Sequence, residues 1–415
     1  MISALEPRCR ACYASMKLVL ADLGSTPVSN NFLDPEALSR GELFFPLKAY
    51  VCQICRLVQL PSQHTADDLF RQDYVYFSSY SKTWLDHAKD YTTMIMNRLG
   101  LKVSSRVVEV ASNDGYLLQY FRKAGFDVLG IEPCASVARV AREKHQIPTI
   151  ERFFGRSSAI EIAMTHGKAD LIVANNVLAH VPDINDFVAG FEVLLQDEGV
   201  ATFEFPHLLN LLELVQFDTI YHEHFCYLSL LACEPIFVRA GLRIFDIEEL
   251  TTHGGSLRLY ACKWNASHVT RESVQAMSKR EKLHKLDKDE PYKEFTSRVR
   301  ELKWSLMSLL IDLKRRGHRI AAYGAAAKGN TLLNFCGIGP DMIDYVVDQS
   351  PFKQGKFLPG THLPVLTPGH IFQDRPDFLM ILPWNLQTEI IDLMSKIRNW
   401  GGKFIIPIPS ATILD

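Results

Sequence analysis

Arg106-Val-Val-Glu109-Val-Ala111-Ser-Asn113-Asp114-Gly115-Tyr-Leu-Leu118 reads as a strand of β-branched residues that meets a small-residue turn and runs into a helix. Such a turn is the first crossover of a doubly wound α/β sheet, where ligands sit at the carboxyl ends of the strands. The pattern G-x-G-x-x-G is missing, so the turn is not built to bring bare backbone against a pyrophosphate. An acidic residue, Glu109, lies inside the strand end instead. Val128-Leu-Gly-Ile-Glu132-Pro133 is the second strand and ends in a carboxylate placed to accept both hydroxyls of a ribose. Asp170-Leu-Ile-Val-Ala-Asn175-Asn176-Val-Leu-Ala-His180 gives the fourth strand and its loop, and Glu198 to Pro206 the fifth.

Turn, acidic strand end and Asn-Asn loop, in that order, suit S-adenosylmethionine (SAM), which offers methionine and ribose portions and no pyrophosphate to cradle. The cofactor contacts expected are Glu109, Ala111, Asn113, Asp114, Glu132, Pro133, Asn175 and Asn176, with Tyr76 and Ser79 from the aromatic cluster Tyr74 to Tyr80. That cluster opens the SAM domain within a stretch, 62–100, that reads as helical. A nicotinamide-dependent dehydrogenase is the competing reading of the strands taken alone.

Cys9-x-x-Cys12 and Cys52-x-x-Cys55 have the paired-turn spacing of a tetrahedral four-thiolate zinc site. All four positions are protein ligands, so the site is expected to be closed and structural. A module this small has little core, and metal would contribute much of its folding free energy. The other five of the nine cysteines are scattered, which fits reduced thiols in a cytoplasmic protein better than a disulfide framework. With 415 residues, 47% of them hydrophobic, the chain has material for roughly two to three domains. A net charge of -2 leaves no electrostatic footprint for nucleic acid. No apolar run approaches membrane-spanning length, and the opening residues lack a secretory signal's apolar core.

From Pro291 to Gly317 the spacing of Phe295, Val299, Leu302, Leu306, Leu309, Leu310 and Leu313 gives a helix with one apolar face. A second strand–turn–helix follows, Arg319-Ile-Ala-Ala-Tyr323-Gly324-Ala-Ala-Ala-Lys328-Gly329-Asn330. Its small residues let backbone approach a ligand, the helix N-terminus favours phosphate, and Lys328 adds a cation. Ile343-Asp-Tyr-Val-Val-Asp348 would end in a carboxylate for a second ribose, with Lys356 close behind. Ile220-Tyr221-His222-Glu223-His224-Phe225 packs four proton-handling side chains into one stretch. Residues i and i+2 share a strand face and diverge on a helical turn, so spacing alone does not choose between His222 and His224. Metalloprotease histidines stand a helical turn apart, and these do not.

Taken with Pro27-Val-Ser-Asn-Asn-Phe32, Cys55-Arg-Leu-Val-Gln-Leu60, the SNDGYLL turn, Thr252-His253-Gly254-Gly255-Ser256-Leu257-Arg258 and Tyr323 to Asn330, these motifs resemble the deoxysugar C-methyltransferases over nearly the whole length. Ala111 stands where most SAM enzymes carry glycine. The resemblance implies SAM-dependent methylation at carbon 3 of a dTDP-, GDP- or CDP-linked 4-keto-6-deoxy sugar. It implies His224 as base, with Tyr221 and His180 near the keto oxygen. Glu223 would orient His224 or bind a sugar hydroxyl. Tyr221, His222, His253, Ser256, Arg258, Tyr323, Lys328, Asn330, Asp348 and Lys356 are the expected substrate contacts, Arg258 as a bidentate clamp on the diphosphate. His207 and Asn210 are placed facing the cleft. The expected organisation is a zinc module over 1–68, a Rossmann-like SAM methyltransferase domain over 69–265 and a C-terminal Rossmann-like nucleotide-sugar domain over 266–415, acting as a monomer or weak oligomer. O- or N-methyl transfer and a non-catalytic zinc or nucleotide module are the alternatives.

Overall fold

The structure is a computed structural model that describes residues 6–61 and 77–415. Tyr76, with Tyr74 and the start of the stretch expected to be helical, lies outside the described residues; beyond them a short 3-10 turn, Ser78–Tyr80, leads into the helix Lys82–Leu99. Ser81 caps that helix through its side chain, which accepts from the Trp84 amide, and Gly100 ends it in the left-handed region.

Three sheets organise the described residues. Strands β1 (Leu18–Thr26), β2 (Phe45–Val51) and β3 (Val58–Gln59) form an antiparallel meander beside the four cysteines. Next in the chain are β4 (Arg106–Val110), β5 (Asp127–Ile131), β6 (Thr149–Ile150), β7 (Ala169–Asn175) and β8 (Leu195–Pro206), all parallel. β9 (Cys226–Tyr227) leaves that sheet and pairs with β3, so the meander borrows its fourth strand from a distant part of the sequence. β10 (Leu242–Leu250) and β11 (Ser256–Lys263) return antiparallel and close a seven-stranded sheet of order β10-β11-β8-β7-β4-β5-β6. The order reverses between β4 and β7, and the carboxyl ends there form the crevice that a doubly wound sheet offers a ligand.

A C-terminal six-stranded sheet has the order β14-β13-β12-β15-β16-β17, from β12 (Ile320–Tyr323), β13 (Val346–Val347), β14 (Val365–Leu366), β15 (Phe378–Ile381), β16 (Lys403–Ile406) and β17 (Thr412–Leu414). It is parallel except for β17. The helix Glu290–Arg315 buries Phe295, Val299, Leu302, Leu306, Leu310 and Leu313 as its period demands, while Leu309 is half-buried at the edge of that face. That face shares one apolar core with the first meander and the C-terminal sheet. Among the described residues no helix is long and apolar enough to cross a membrane.

Candidate active site

The turn after β4 has the shape its sequence asks for. Ala111 (φ 57) and Asn113 (φ 49) take left-handed conformations, and Gly115 (φ 81) has Ile147 Cδ1 2.5 Å from where a Cβ would stand. Only glycine satisfies both demands at position 115. Asn113 donates its backbone N–H to Glu132 Oε2 (3.0 Å) at the end of β5, and Cys134 N donates to Glu132 Oε1 (2.9 Å). Burial pushes the Glu132 carboxyl up against the pull of these amides. Pro133 lies between the two amide donors. The Asn113 side-chain oxygen accepts from Ser78 N (2.8 Å) and Asp114 Oδ2 from Ser79 N (3.2 Å), so the segment ahead of the helix Lys82–Leu99 sits down on the turn.

Glu109 is buried in β4 near Tyr116 and held well above the usual carboxylate range by desolvation. Asn175 ends β7 and is buried; Asn176 is left-handed (φ 51), its N–H on the Glu204 carbonyl (2.7 Å) and its Nδ2 on His253 Nε2 (3.1 Å). Trp84 lies against Tyr116, His87 and His253 (ring centroids 5.8, 5.0 and 5.2 Å). Asp114 Oδ1 and Asn176 Oδ1 are buried and have no hydrogen-bond donor among the described residues. Acceptors left open at a strand-end turn, beside a carboxylate at the end of the neighbouring strand, fit a ligand with amine and ribose donors such as SAM.

The Tyr221–His224 segment is a β-turn, with His224 N donating to the Tyr221 carbonyl (2.9 Å). A turn brings residues i and i+3 together, and this decides which histidine meets the tyrosine. Tyr221 and His224 lie ring on ring (4.0 Å), both half-buried, with the Tyr221 hydroxyl 2.7 Å from His224 Nε2. His224 Nδ1 is 2.8 Å from the Thr219 carbonyl, which can only accept. The proton therefore sits on Nδ1, and Nε2 is a lone pair that receives the Tyr221 O–H. The His180 ring is 4.6 Å away. Burial, then the neighbouring His180, holds His224 well below its ordinary value; burial brings His180 and His253 down to about 4 each. His222 points the other way, edge-on to Phe45 of β2 (6.0 Å).

The C-terminal sheet faces this cluster. Trp384 Nε1 donates to Asp218 Oδ2 (2.7 Å), one residue before the carbonyl that fixes His224, and burial pushes Asp218 up to about 6. Thr331 donates to the Ile220 carbonyl (3.2 Å). Lys328 donates to Asn385 Oδ1 (2.7 Å) and lies 4.7 Å from the Trp384 ring centroid. Both amide atoms of Asn330 are buried with no partner among the described residues. Asp348 accepts from Ala325 N (2.7 Å) and Ser350 N (2.8 Å), and Tyr323 is buried beside it with its hydroxyl pushed up to about 12 by burial. Lys356 stands 3.6 Å from Asp34, and Ser256 donates to the Thr252 carbonyl (2.9 Å).

Two expectations change. Arg258 is 3% exposed inside β11, with Nη2 on Glu204 (2.8 Å) and Nη1 on Glu248 (3.0 Å). Glu204 also receives His87 (2.9 Å) and Thr252 (2.9 Å), and these partners hold it below the usual carboxylate range although burial alone would raise it. The guanidinium is thus spent on carboxylates of its own sheet and is not presented as a clamp for a diphosphate. Truncation strands a buried Glu204, so Arg258→Ala should lower stability by about 3–5 kcal/mol, read as a fall in the urea midpoint. His207 is likewise fully buried, donating to Glu281 (2.8 Å), which also takes the Leu230 and Leu231 amides at a helix start. Asn210 packs against Gly255. Reading the sequence missed Asn30, Trp84, His87, Asp218 and Trp384; buried aromatic and acidic residues next to the motifs were the available signal.

The four cysteines make two matched knuckles. Cys9 N pairs with the Ala14 carbonyl and Tyr13 N with the Cys9 carbonyl, and Cys52 N with the Leu57 carbonyl and Arg56 N with the Cys52 carbonyl. Tyr13 and Arg56, each four residues after a first cysteine, share φ 62. The sulfurs all lie within 4.8 Å of one another, Cys9–Cys55 at 3.5 Å and Cys12–Cys52 at 3.4 Å. Zn–S bonds of about 2.3 Å need tetrahedral edges of about 3.8 Å, so the donors fit zinc.

Family models match in three blocks that follow this architecture: a zinc binding domain over residues 9–70, a methyltransferase domain over 85–247 and a C-methyltransferase C-terminal domain over 251–409. The C-methyltransferase NovU of Streptomyces niveus is 36% identical over 98% of this chain and 96% of its own. Among solved structures, the magnesium protoporphyrin IX methyltransferase of Synechocystis PCC 6803 is 17% identical, covering 43% of this chain and 84% of its own at a TM-score of 0.36, too distant to add to the assignment. O- or N-methyl transfer and a non-catalytic module give way to C-methyl transfer. The chain belongs to the SAM-dependent C-methyltransferases that carry an N-terminal zinc-binding module, a central methyltransferase domain and a C-terminal domain of their own.

Proposed function

We propose that this enzyme methylates carbon 3 of a nucleotide-linked 4-keto-6-deoxy sugar, with His224 as the base. The observation that carries the reading is a neutral imidazole locked on the Thr219 carbonyl through Nδ1, its Nε2 lone pair holding the O–H of a phenol. His224 Nε2 takes the proton from carbon 3, and the electron pair of that C–H bond moves onto the 4-keto oxygen. Tyr221 turns its O–H from Nε2 to that oxygen, and neutral His180 offers a second N–H. SAM, when bound, would supply an electrophilic methyl group to the enolate carbon; its S–CH3 bond would break as the carbonyl re-forms, and S-adenosylhomocysteine would leave. The proton left on His224 passes to solvent.

Glu132 is assigned to the SAM ribose, and Asn113, Asp114, Asn175 and Asn176 to the methionine end, with Glu109, Ala111, Pro133 and Ser79 shaping the pocket. Tyr323, Lys328, Asn330 and Asp348 form the substrate wall of the C-terminal domain, His253 and Ser256 the opposite rim, and Glu223 accepts a sugar hydroxyl. Reduced zinc thiolates fit a cytoplasmic setting.

Incubating the enzyme with SAM and dTDP-, GDP- and CDP-4-keto-6-deoxy sugars tests the reading by mass spectrometry and NMR. One sugar of the panel should gain a methyl on ring carbon 3. Methylation at oxygen, or at none of the sugars while SAM still binds, would refute it.

A further inference from the structure

Pro27-Val-Ser-Asn-Asn-Phe32 belongs to the zinc-binding block, yet it reaches the active centre. Asn30 Nδ2 donates to both carboxylate oxygens of Glu223, at 2.7 and 2.8 Å. Glu223 is 2% exposed, and the contact joins residues 193 apart in sequence. The segment carrying Asn30 is held on either side. Leu33 and Phe357 exchange backbone hydrogen bonds (3.0 and 2.8 Å), and Phe32 lies under Lys353 (5.6 Å). On the other flank β3 pairs with β9, Leu60 N donates to the Phe225 carbonyl (3.0 Å), and the Arg10 guanidinium covers the Phe225 ring (4.8 Å). The zinc module therefore meets residues 223–227 at two places, through Asn30 on the turn and through β3 and Leu60 just after it.

We propose that Asn30 is a positioning residue of the active centre, which holds Glu223 as an oriented carboxylate so that it can accept a hydroxyl of the sugar. The proposal rests on the substrate reading above. An amide nitrogen between the two oxygens fixes the carboxylate plane and stabilises its charge, leaving the outer lone pairs for a ligand. The charge needs that help, because burial pushes Glu223 up to about 7 while Asn30 and then Lys353 pull it down. The other groups around it are His180, which bonds its backbone, and His222 and His224 of the same turn. Removing Asn30 leaves all of these in place, so any shift reports on the amide.

The test is a pH titration of enzyme carrying 13Cδ-labelled glutamate, with the Glu223 signal assigned by its loss in Glu223→Gln, beside the pH profile of kcat/KM. Asn30→Leu should raise the Glu223 midpoint by about one unit, cut kcat/KM about fivefold at pH 7 and recover most of it near pH 9. Asn30→Ser, which keeps one donor, should fall between, and both should retain their zinc. An unmoved Glu223 midpoint, or the same loss of kcat/KM at every pH, overturns the proposal. If Asn30→Leu loses zinc, the Asn30→Ser midpoint decides in the same way. Failure of the wild-type enzyme to methylate any sugar would sink the substrate reading alone, since the Glu223 titration is read without turnover.

Discussion

His224→Asn is expected to lower kcat by about 10²–10⁴-fold, the usual worth of a positioned general base, with SAM affinity nearly unchanged. The separation follows from placement: the side chain touches Tyr221, His180 and the Thr219 carbonyl, whereas the cofactor assignments lie on β4, β5 and β7. Calorimetry reads the SAM affinity, and single-turnover mass spectrometry reads the chemistry. Solvent deuterium should enter carbon 3 in wild-type enzyme with a non-reactive SAM analogue, and should not enter in the variant. Exchange surviving in His224→Asn would move the base elsewhere. The pH dependence follows from the same burial. His224 is held so far down that it stays neutral through the physiological range, so the acid limb of kcat/KM is assigned to Glu223, with activity rising as that carboxyl ionises through about pH 7.

Local chemistry was legible in the sequence wherever a backbone constraint and a side-chain role fall within a few residues. The turn at Ala111 to Gly115 and the strand-end Glu132 are of that kind, and their geometry follows from left-handed residues and two backbone amides. So are the knuckles, because a Cys-x-x-Cys turn fixes two sulfurs by itself. The choice of histidine was not legible. His222 and His224 differ by which side of a β-turn they leave, and that turn is held by β3, Asn30 and Trp384, all remote in sequence. Arg258 misled for a related reason. Next to a Gly-Gly turn an arginine looks available to a ligand, and only the register of β11 against β8 and β10 sets it opposite Glu204 and Glu248. Period and composition carry no record of which strand lies beside which, and so none of the partners that pairing supplies.

Stripping zinc from the folded enzyme is expected to abolish methyl transfer while SAM binding largely survives. Structural zinc contributes about 10–16 kcal/mol in small modules, comparable with the whole stability of a typical domain at about 5–15 kcal/mol. β1 and β2 are held by the apolar core they share with the helix Glu290–Arg315, but the far edge of the meander has little reserve: β3 is two residues long, and its outer neighbour β9 is two residues borrowed from beside His224. Gln59 ties the two ends together. Its side chain donates to Cys9 Sγ (3.2 Å) and its backbone pairs with Cys226, two residues past His224. Loss of the metal should therefore release β3 first, then β9, the Tyr221–His224 turn and the Asn30 contact. The seven-stranded sheet shares the core on one face with the zinc module but has a core of its own on the other, and should keep its shape on that side. Hydrogen exchange after chelation should accelerate at residues 57–60 and 219–228 and leave β4 and β5 protected, and added zinc should restore both protection and turnover. Undiminished protection at Cys226 and Tyr227 in zinc-free protein would show that the Tyr221–His224 turn stands without the module, and the fourth strand would then be a contact rather than a support.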